Sequence, residues 1–259
     1  MPEFTVPPVL PFDIIGNIID ILFNDVEGPQ YVKDFSLVCH SFLPLCRKHI
    51  FSCITINICG RPSKQISNGE VFGQLLLKNP CIARYVRKLT IYIVQREFES
   101  NGFLELVPPQ LTRLQSLSIA YGNNVDWHDF SSSIRHLLLN FMRLPTVTYV
   151  DLREILSFPT SDLVVCTNVK HLSVCGFEIL DDEASSSPLC RKSMKLRTLD
   201  ISIRTSKSLV LLEATYSDGR PVLDLTDLET VSIVLEEAVQ IKGISKKIPR
   251  LRDASISGM

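Results

Sequence analysis

A short pattern recurs seven times between residues 86 and 256 and limits the folds open to this chain. Each copy has an apolar residue, two polar residues and then an apolar–polar–apolar stretch, which is typical of a β-strand with one buried face. A repeat of this kind indicates a stacked architecture, because one unit cannot bury its apolar face without its neighbours. The copies are VRKLTI (86–91), LTRLQSLSI (111–119), LPTVTYVDL (144–152), CTNVKHLSV (166–174), MKLRTLDI (194–201), LTDLETVSI (225–233) and IPRLRDASI (248–256).

The spacing of the copies identifies the type of repeat. Equivalent apolar positions lie 22 to 33 residues apart, and leucine-rich repeats run roughly 20–29 residues. The sequence therefore predicts an α/β fold, an irregular leucine-rich-repeat solenoid with a curved parallel sheet, and ITIN at 54–57 is a candidate first, degenerate strand. The equivalent positions are Leu89, Leu117, Val150, Leu172, Leu199, Val231 and Ala254.

The alternation within each strand assigns the two faces of the sheet. Pairs such as Leu117 with Ile119 and Val150 with Leu152 should point into the core. The residue between each such pair is small and polar in all seven copies, namely Thr90, Ser118, Asp151, Ser173, Asp200, Ser232 and Ser255. This polar row either reflects a crowded concave surface or forms the floor of a partner-binding surface. The candidate partner-binding residues on this face are Tyr149, Asp151, Arg153, His171, Asp200 and Arg204.

The first fifty residues have a different pattern and are predicted to be helical. LPFDIIGNIIDILFND (10–25) has isoleucine at positions 14, 15, 18, 19 and 21, so two faces of a helix would be apolar. Pro11 suits a first helical turn, and the helix should end at Phe23, before the turn-forming residues 24–29. YVKDFSLVCHSFLPLCRKHIF (31–51) should form two short helices, because Pro44 fits only the first turn of the later one.

Composition excludes several classes of function. Twenty-seven basic and 28 acidic residues leave a net charge of −1, with no surplus for nucleic acid or an anionic membrane. The apolar runs are far shorter than the ~20 residues of a membrane helix, and the N-terminus lacks the basic region of a signal peptide. The eight cysteines are interpreted as reduced, buried residues of an intracellular protein, cytoplasmic or nuclear.

No motif in the sequence indicates catalysis. Gly-x-Ser-x-Gly, phosphate-binding glycine loops, His-Glu-x-x-His and Cys-x-x-Cys are all absent from the sequence. Cys39, Cys46 and His49 lack the close spacing of paired zinc ligands. DWHDF (126–130) places His128 between two aspartates, but it stands alone and is interpreted as a loop or helix start. We therefore expect no enzyme, no cofactor and no metal.

The N-terminal segment resembles an F-box. The resemblance lies in Leu10-Pro11, the acidic Asp13, the spaced aliphatic residues that follow, and SLVCHSF at 36–42. Phe42 stands where tryptophan is common, so aromatic bulk is kept and the indole N–H is lost. The whole chain also resembles fungal, basidiomycete-type F-box proteins with degenerate leucine-rich repeats, especially in SLVCHSFLPLCRKHIF (36–51) and NPCIARYVRKLTI (79–91).

This resemblance implies different functions for the two parts of the chain. Residues 1–52 would form a three-helix F-box that docks on the adaptor subunit of a cullin–RING (SCF) ubiquitin ligase and, through it, on cullin. Residues 53–259 would form the leucine-rich-repeat-like domain that recruits an unknown protein substrate through the polar face. No nucleic acid and no membrane are expected as partners. The adaptor-binding residues implied are Leu10, Pro11, Ile14, Ile15, Ile18, Leu37, Val38 and Phe42.

Two other interpretations remain at this point. The helices could cap a leucine-rich-repeat interaction scaffold that has no ubiquitin role, or the chain could be an unrecognised hydrolase, which the missing nucleophile motifs disfavour. The sequence also ends two residues after the last repeat strand without a polar capping repeat, so poor solubility of the isolated chain is expected.

Overall fold

A computed structural model of the chain describes residues 11–25, 28–58, 68–93, 106–163, 166–180, 193–203, 210–213, 215, 219–235 and 253–258. The chain divides into two compact units, Met1–Cys53 and Ile54–Met259. The described residues of the first unit are helical, and those of the second unit are organised around a β-sheet.

The described residues of the first unit form three helices, α1 (Phe12–Phe23), α2 (Gly28–Val38) and α3 (Leu43–Ile50). This confirms the prediction of one long and two short helices, with Pro44 in the first turn of α3. Helix α2 begins earlier than expected, because Pro29 lies in a first turn, where its missing N–H costs nothing. The core is formed by the fully buried Ile19, Val32 and Cys46, against which Ile15, Phe23, Phe35, Phe42, Leu45 and Ile50 pack.

A close approach of the chain at Gly28 joins α1 to α2. The Gly28 N–H donates to the Asp25 carbonyl at 3.0 Å. A Cβ added at Gly28 would overlap the backbone carbonyls of Leu22 and Phe23 at the end of α1. Only glycine therefore fits this position without moving the backbone.

A charged contact links α1 to α3. Both the Lys48 ammonium and Nε2 of His49 lie 2.7 Å from Oδ1 of Asp20. The hydrogen bond from Lys48 lowers the pKa of the Asp20 carboxyl; partial burial opposes this, and His49 adds to it. The His49 ring also lies 4.7 Å from that of Phe23. The contact therefore adds to the apolar packing between these two helices.

An eight-stranded sheet in the order β1-β2-β3-β4-β6-β9-β11-β12 forms the centre of the second unit. The pairs from β2 to β12 are parallel, which confirms an α/β fold with a mostly parallel sheet. Two short pairs, β5 with β7 and β8 with β10, form separate ladders. The strands are β1 (Cys53–Ile58), β2 (Lys88–Ile93), β3 (Ser116–Asp126), β4 (Tyr149–Leu156), β5 (Phe158–Pro159), β6 (His171–Cys175), β7 (Ile179–Leu180), β8 (Met194–Lys195), β9 (Thr198–Ile203), β10 (Leu223–Asp224), β11 (Thr230–Leu235) and β12 (Asp253–Gly258).

The register of the sheet joins equivalent positions of the repeat. Leu89 pairs with Leu117, Leu117 with Val150, and the ladder continues without a shift through Leu172, Leu199, Val231 and Ala254. From β2 to β11 the inward pairs predicted from the alternation are buried, as at Leu117 and Val150, so the predicted strand phase is confirmed for these strands. The candidate strand at 54–57 is β1.

Helices connect the strands of this sheet. The four α-helices described in this unit are α4 (Asn68–Lys78), α5 (Ser132–Met142), α6 (Thr160–Leu163) and α7 (Val210–Glu213). Helix α5 begins at a cap in which the Ser131 hydroxyl accepts from the Ile134 N–H at 3.4 Å. Short 3-10 helices span Pro80–Tyr85, Pro108–Gln110 and Trp127–Asp129.

The cysteines are less buried than the sequence suggested. Cys46 and Cys166 are buried, but Cys39, Cys53 and Cys81 are exposed, so the prediction of buried thiols is wrong for these three. Cys39 follows the end of α2 and Cys53 lies at the start of β1, where an apolar run of sequence does not ensure burial.

Candidate binding surfaces

Helix α1 of the first unit carries two apolar faces. Ile15, Ile19 and Phe23 recur at helical spacing and face the core of the unit. Ile14, Ile18 and Ile21 lie on a second face and are 42%, 39% and 71% exposed. The excess of isoleucine in the sequence therefore divides into one face that stabilises the unit and another that is in contact with solvent.

The end of α2 exposes two more aliphatic side chains. Leu37 is 85% exposed and Val38 is 69% exposed, although Phe35 of the same helix packs in the core. Of the twelve large apolar side chains exposed in the described residues, seven lie in the smaller first unit. Such a concentration makes the first unit a candidate interaction region. We define the exposed apolar surface as the six of these seven side chains that carry no polar atom, namely Phe12, Ile14, Ile18, Ile21, Leu37 and Val38.

Most, but not all, residues of the implied adaptor-binding set are accessible in the structure. Pro11, Ile14, Ile18, Leu37 and Val38 are exposed. Leu10 lies outside the described residues. Two members of the set pack in the core of the unit: Ile15, and Phe42, whose ring stacks on Phe35 at 5.5 Å.

Two residues of the exposed apolar surface were missed by sequence reasoning. Phe12 and Ile21 are 50% and 71% exposed. Ile21 follows Ile14 by seven positions, so the helical period could have placed both on one face. The sequence could not separate Ile18 from Ile19, and the structure buries Ile19 completely.

The polar row of the second unit forms one ladder across the sheet. Asp151 pairs with Ser118 on one side and with Ser173 on the other, and Ser173 pairs with Asp200. The row continues through Ser232 to Ser255. Two carboxylates therefore lie two strands apart on a face whose other row members are hydroxyl side chains.

Asp151 is the most unusual residue of this row. Its side chain is only 4% exposed, and its Oδ2 accepts a hydrogen bond from Nε of Arg153 at 2.9 Å. Its Oδ1 is buried and accepts no hydrogen bond from the residues that the structure describes. A buried acceptor without a donor costs about 1–3 kcal/mol, and more when it is charged. Asp151 is therefore held in a state that an additional donor would stabilise.

Two rings lie beside these carboxylates. Tyr149 and His171 are register partners on β4 and β6, and their rings stack with centroids 6.4 Å apart. Burial raises the pKa of the Tyr149 hydroxyl, and the charge of Asp151 adds to this effect. Burial also raises the pKa of Asp200, where the charge of Asp151 adds to the effect and His171 opposes it. The negative charges on this face therefore influence one another.

The structure thus gathers five of the six predicted polar-face residues on one face of the sheet. We call Tyr149, Asp151, Arg153, His171 and Asp200 the acidic cluster. The sixth residue, Arg204, lies outside the described residues. With two carboxylates and one guanidinium, the cluster has a net negative charge while His171 is neutral, so its chemistry favours a cationic ligand over an anionic one.

The DWHDF segment has a structural role. Asp126 caps the 3-10 helix Trp127–Asp129 by accepting from the His128 N–H at 2.8 Å. Trp127 is fully buried and its indole N–H donates to Asp162 at 3.0 Å. His128 is exposed. These contacts agree with the interpretation of the segment as a loop or the start of a helix.

The described part of the chain shows neither a metal-binding group nor a membrane-spanning helix. There, no group of three or more histidine, cysteine, aspartate or glutamate side chains is placed to hold a metal ion. Among the helices described, none has both the length and the apolar composition that a membrane crossing requires. In comparisons with known proteins, the chain matches no family model and no curated protein.

Proposed function

We propose that this chain is the substrate-recognition subunit of an SCF, or cullin–RING, ubiquitin ligase. In this proposal the three-helix unit is an F-box that docks on the adaptor subunit, and the parallel sheet belongs to a leucine-rich-repeat domain that recruits a protein substrate. The chain itself would catalyse nothing, and its role would be to bind both partners. The observation that supports the proposal best is the exposed apolar surface of the first unit.

The position of the exposed apolar surface supports adaptor docking. A small helical unit gains no stability from aliphatic side chains that remain in water, since the hydrophobic effect contributes about 25 cal/mol per Å² only when apolar area is buried. Leu37 and Val38 belong to the segment SLVCHSF that resembles the F-box pattern, and both are highly exposed. A partner that covers these residues and the exposed face of α1 would supply the missing burial.

The second unit supports substrate recruitment. Its strands follow one another in sequence order across the sheet, and its repeat positions pair in register, as stacked repeats require. The polar row occupies the face opposite the buried apolar row. Solenoids use such extended faces to bind proteins. The same feature favours the alternative function, a non-catalytic leucine-rich-repeat scaffold without a ubiquitin role, because a polar binding face needs no ligase.

Adaptor binding distinguishes the two functions. The full chain would be mixed with a purified adaptor subunit of a cullin–RING ligase, and the complex would be isolated by gel filtration and tested for capture of cullin. The proposal expects a stable complex of chain and adaptor that also retains cullin. Absence of a complex at micromolar concentrations would refute the ligase role and favour the scaffold.

A further inference from the structure

We infer that the acidic cluster binds the cationic side chain of an arginine or a lysine presented by a protein partner. This inference rests on the proposed function in one respect, namely that the partner is the recruited substrate. The substrate would then be a protein with an exposed basic residue in the segment that contacts the sheet.

The spacing of the two carboxylates suits a cation between them. Asp151 and Asp200 lie on the same row with Ser173 between them. Neighbouring strands are about 4.8 Å apart, so the Cα atoms of the two aspartates are separated by about 10 Å. The Ser173 side chain is hydrogen-bonded to the Tyr149 hydroxyl, and a guanidinium or ammonium group entering beside this pair would approach both carboxylates.

The hydrogen bonding of Asp151 indicates that a donor is missing. Arg153 occupies Oδ2 through its Nε, while Oδ1 is buried and has no donor among the described residues. An arginine or lysine of a partner carries several N–H donors and would supply the missing hydrogen bond. The Arg153 side chain is 58% exposed, and exposed side chains exchange rotamers rapidly. Movement of the Arg153 side chain would also free Oδ2 for the entering cation.

The surroundings of the carboxylates also favour a cation. The stacked rings of Tyr149 and His171 lie on the neighbouring row, and an aromatic face attracts a positive charge placed over it. Asp200 and Asp151 repel each other, and a bound cation would relieve this repulsion. An anion would instead meet both carboxylates, and the Nε of Arg153 is already engaged by Asp151.

Peptides that differ in one charge can test this inference. The full chain would be applied to immobilised short peptides with randomised flanks and a central arginine, lysine, citrulline or glutamate. Citrulline keeps the shape of arginine but lacks its charge. A charge-assisted hydrogen bond predicts that arginine peptides bind about tenfold or more tightly than citrulline peptides. Equal binding of these two sets, including no binding to either, would overturn the inference.

Variants of the chain assign any preference to the acidic cluster. Asp200→Asn, which alters a half-buried side chain, should reduce the ratio of arginine-peptide affinity to citrulline-peptide affinity to about one. Asp151→Asn should do the same. Asp227 is exposed, so Asp227→Asn is the matched control and should retain the preference for arginine over citrulline. Arg153→Gln should retain or strengthen arginine binding, because it removes the competing cation. A preference for glutamate that Arg153→Gln abolishes would overturn the inference in favour of an anion site.

The outcome of this test is separable from that of the proposed function. Adaptor binding would be measured on the same preparations, and none of the cluster variants should change it. Adaptor binding without an arginine preference would overturn the cation site and leave the ligase role supported. An arginine preference without adaptor binding would support the cation site and overturn the ligase role.

Discussion

A charge placed at Leu37 should abolish adaptor binding while leaving the chain folded. Leu37 is 85% exposed at the end of α2, so Leu37→Asp should lower the free energy of unfolding by only about 1 kcal/mol, from lost helix propensity and the unfavourable charge near the helix C-terminus. In the proposed complex the same side chain is buried. The loss of its burial costs about 1.5–3 kcal/mol. Burial of an unpaired carboxylate costs several kcal/mol more. The combined loss exceeds ~4 kcal/mol, or about a thousandfold in affinity.

Two control variants separate docking from folding in this experiment. Val71 on α4 of the second unit is 51% exposed, and Val71→Asp should leave adaptor affinity unchanged. Val32 lies in the core of the first unit, so Val32→Asp should unfold that unit and abolish binding for a different reason. Isothermal titration calorimetry of the full chain with the adaptor would give the affinities. Hydrogen exchange resolved by mass spectrometry would report whether α1 to α3 remain protected.

Three outcomes would contradict adaptor docking on the exposed apolar surface. Adaptor affinity equal to that of the wild type in a Leu37→Asp chain with protected helices would show that Leu37 is not buried in the complex. The same result for Ile18→Asp, on the exposed face of α1, would exclude the exposed apolar surface as the docking site. A thousandfold loss in Val71→Asp would contradict the assignment of docking to the first unit.

Three further predictions follow from the contacts of the described residues. Gly28→Ala should destabilise the first unit by about 1 kcal/mol or more, because the added Cβ meets backbone carbonyls. At Gly16 a Cβ has open space, so Gly16→Ala should stabilise α1 by roughly 0.5–1 kcal/mol. Chemical denaturation would measure both changes. The pKa of Asp20 is lowered from 3.8, so this carboxylate stabilises the first unit fully above pH 3.8, and the stabilisation is lost as the pH falls through the lower pKa of the folded state. Hydrogen exchange of α1, corrected for intrinsic rates, should show this loss in the wild type. The Asp20→Asn variant should show a flatter dependence on pH. Hydrogen bonds from the backbone N–H and the side chain of Ser41 lower the pKa of the exposed Cys39 thiol, whereas burial raises the pKa of the Cys166 thiol to about 12. A thiol reagent should therefore label Cys39 in the folded chain and Cys166 only after unfolding, which peptide mapping would measure.

The sequence alone was sufficient to predict the sheet because a strand has a side-chain period of two. Residues such as Leu117 and Val150 could be aligned by pattern, and the structure pairs them. Once these positions are in register, the polar residues between them must form a row on the other face. Asp151 and Asp200 were therefore predictable members of one surface. The helices of the first unit were predictable for the same kind of reason, from their period and from Pro44.

Exposure in the first unit could not be predicted in this way. Isoleucine is equally apolar at Ile18 and Ile19, yet α2 and α3 pack on only one face of α1, so one side chain is exposed and the other is buried. Phe42 is likewise drawn into the core by Phe35. Whether a side chain is buried depends on the elements that pack around it. The apolar pattern of one helix does not show where the neighbouring helices lie.

The unpaired oxygen of Asp151 also depends on tertiary structure. The sequence places Asp151 and Arg153 two positions apart on a strand, and thus on the same face. It does not determine that Arg153 would bind one carboxylate oxygen while the other is buried without a donor among the described residues. That state depends on how the side chains of β4 and of its neighbouring strands pack around Asp151. The sequence determined which residues share the face, whereas three-dimensional packing decided which of their polar atoms lack a partner.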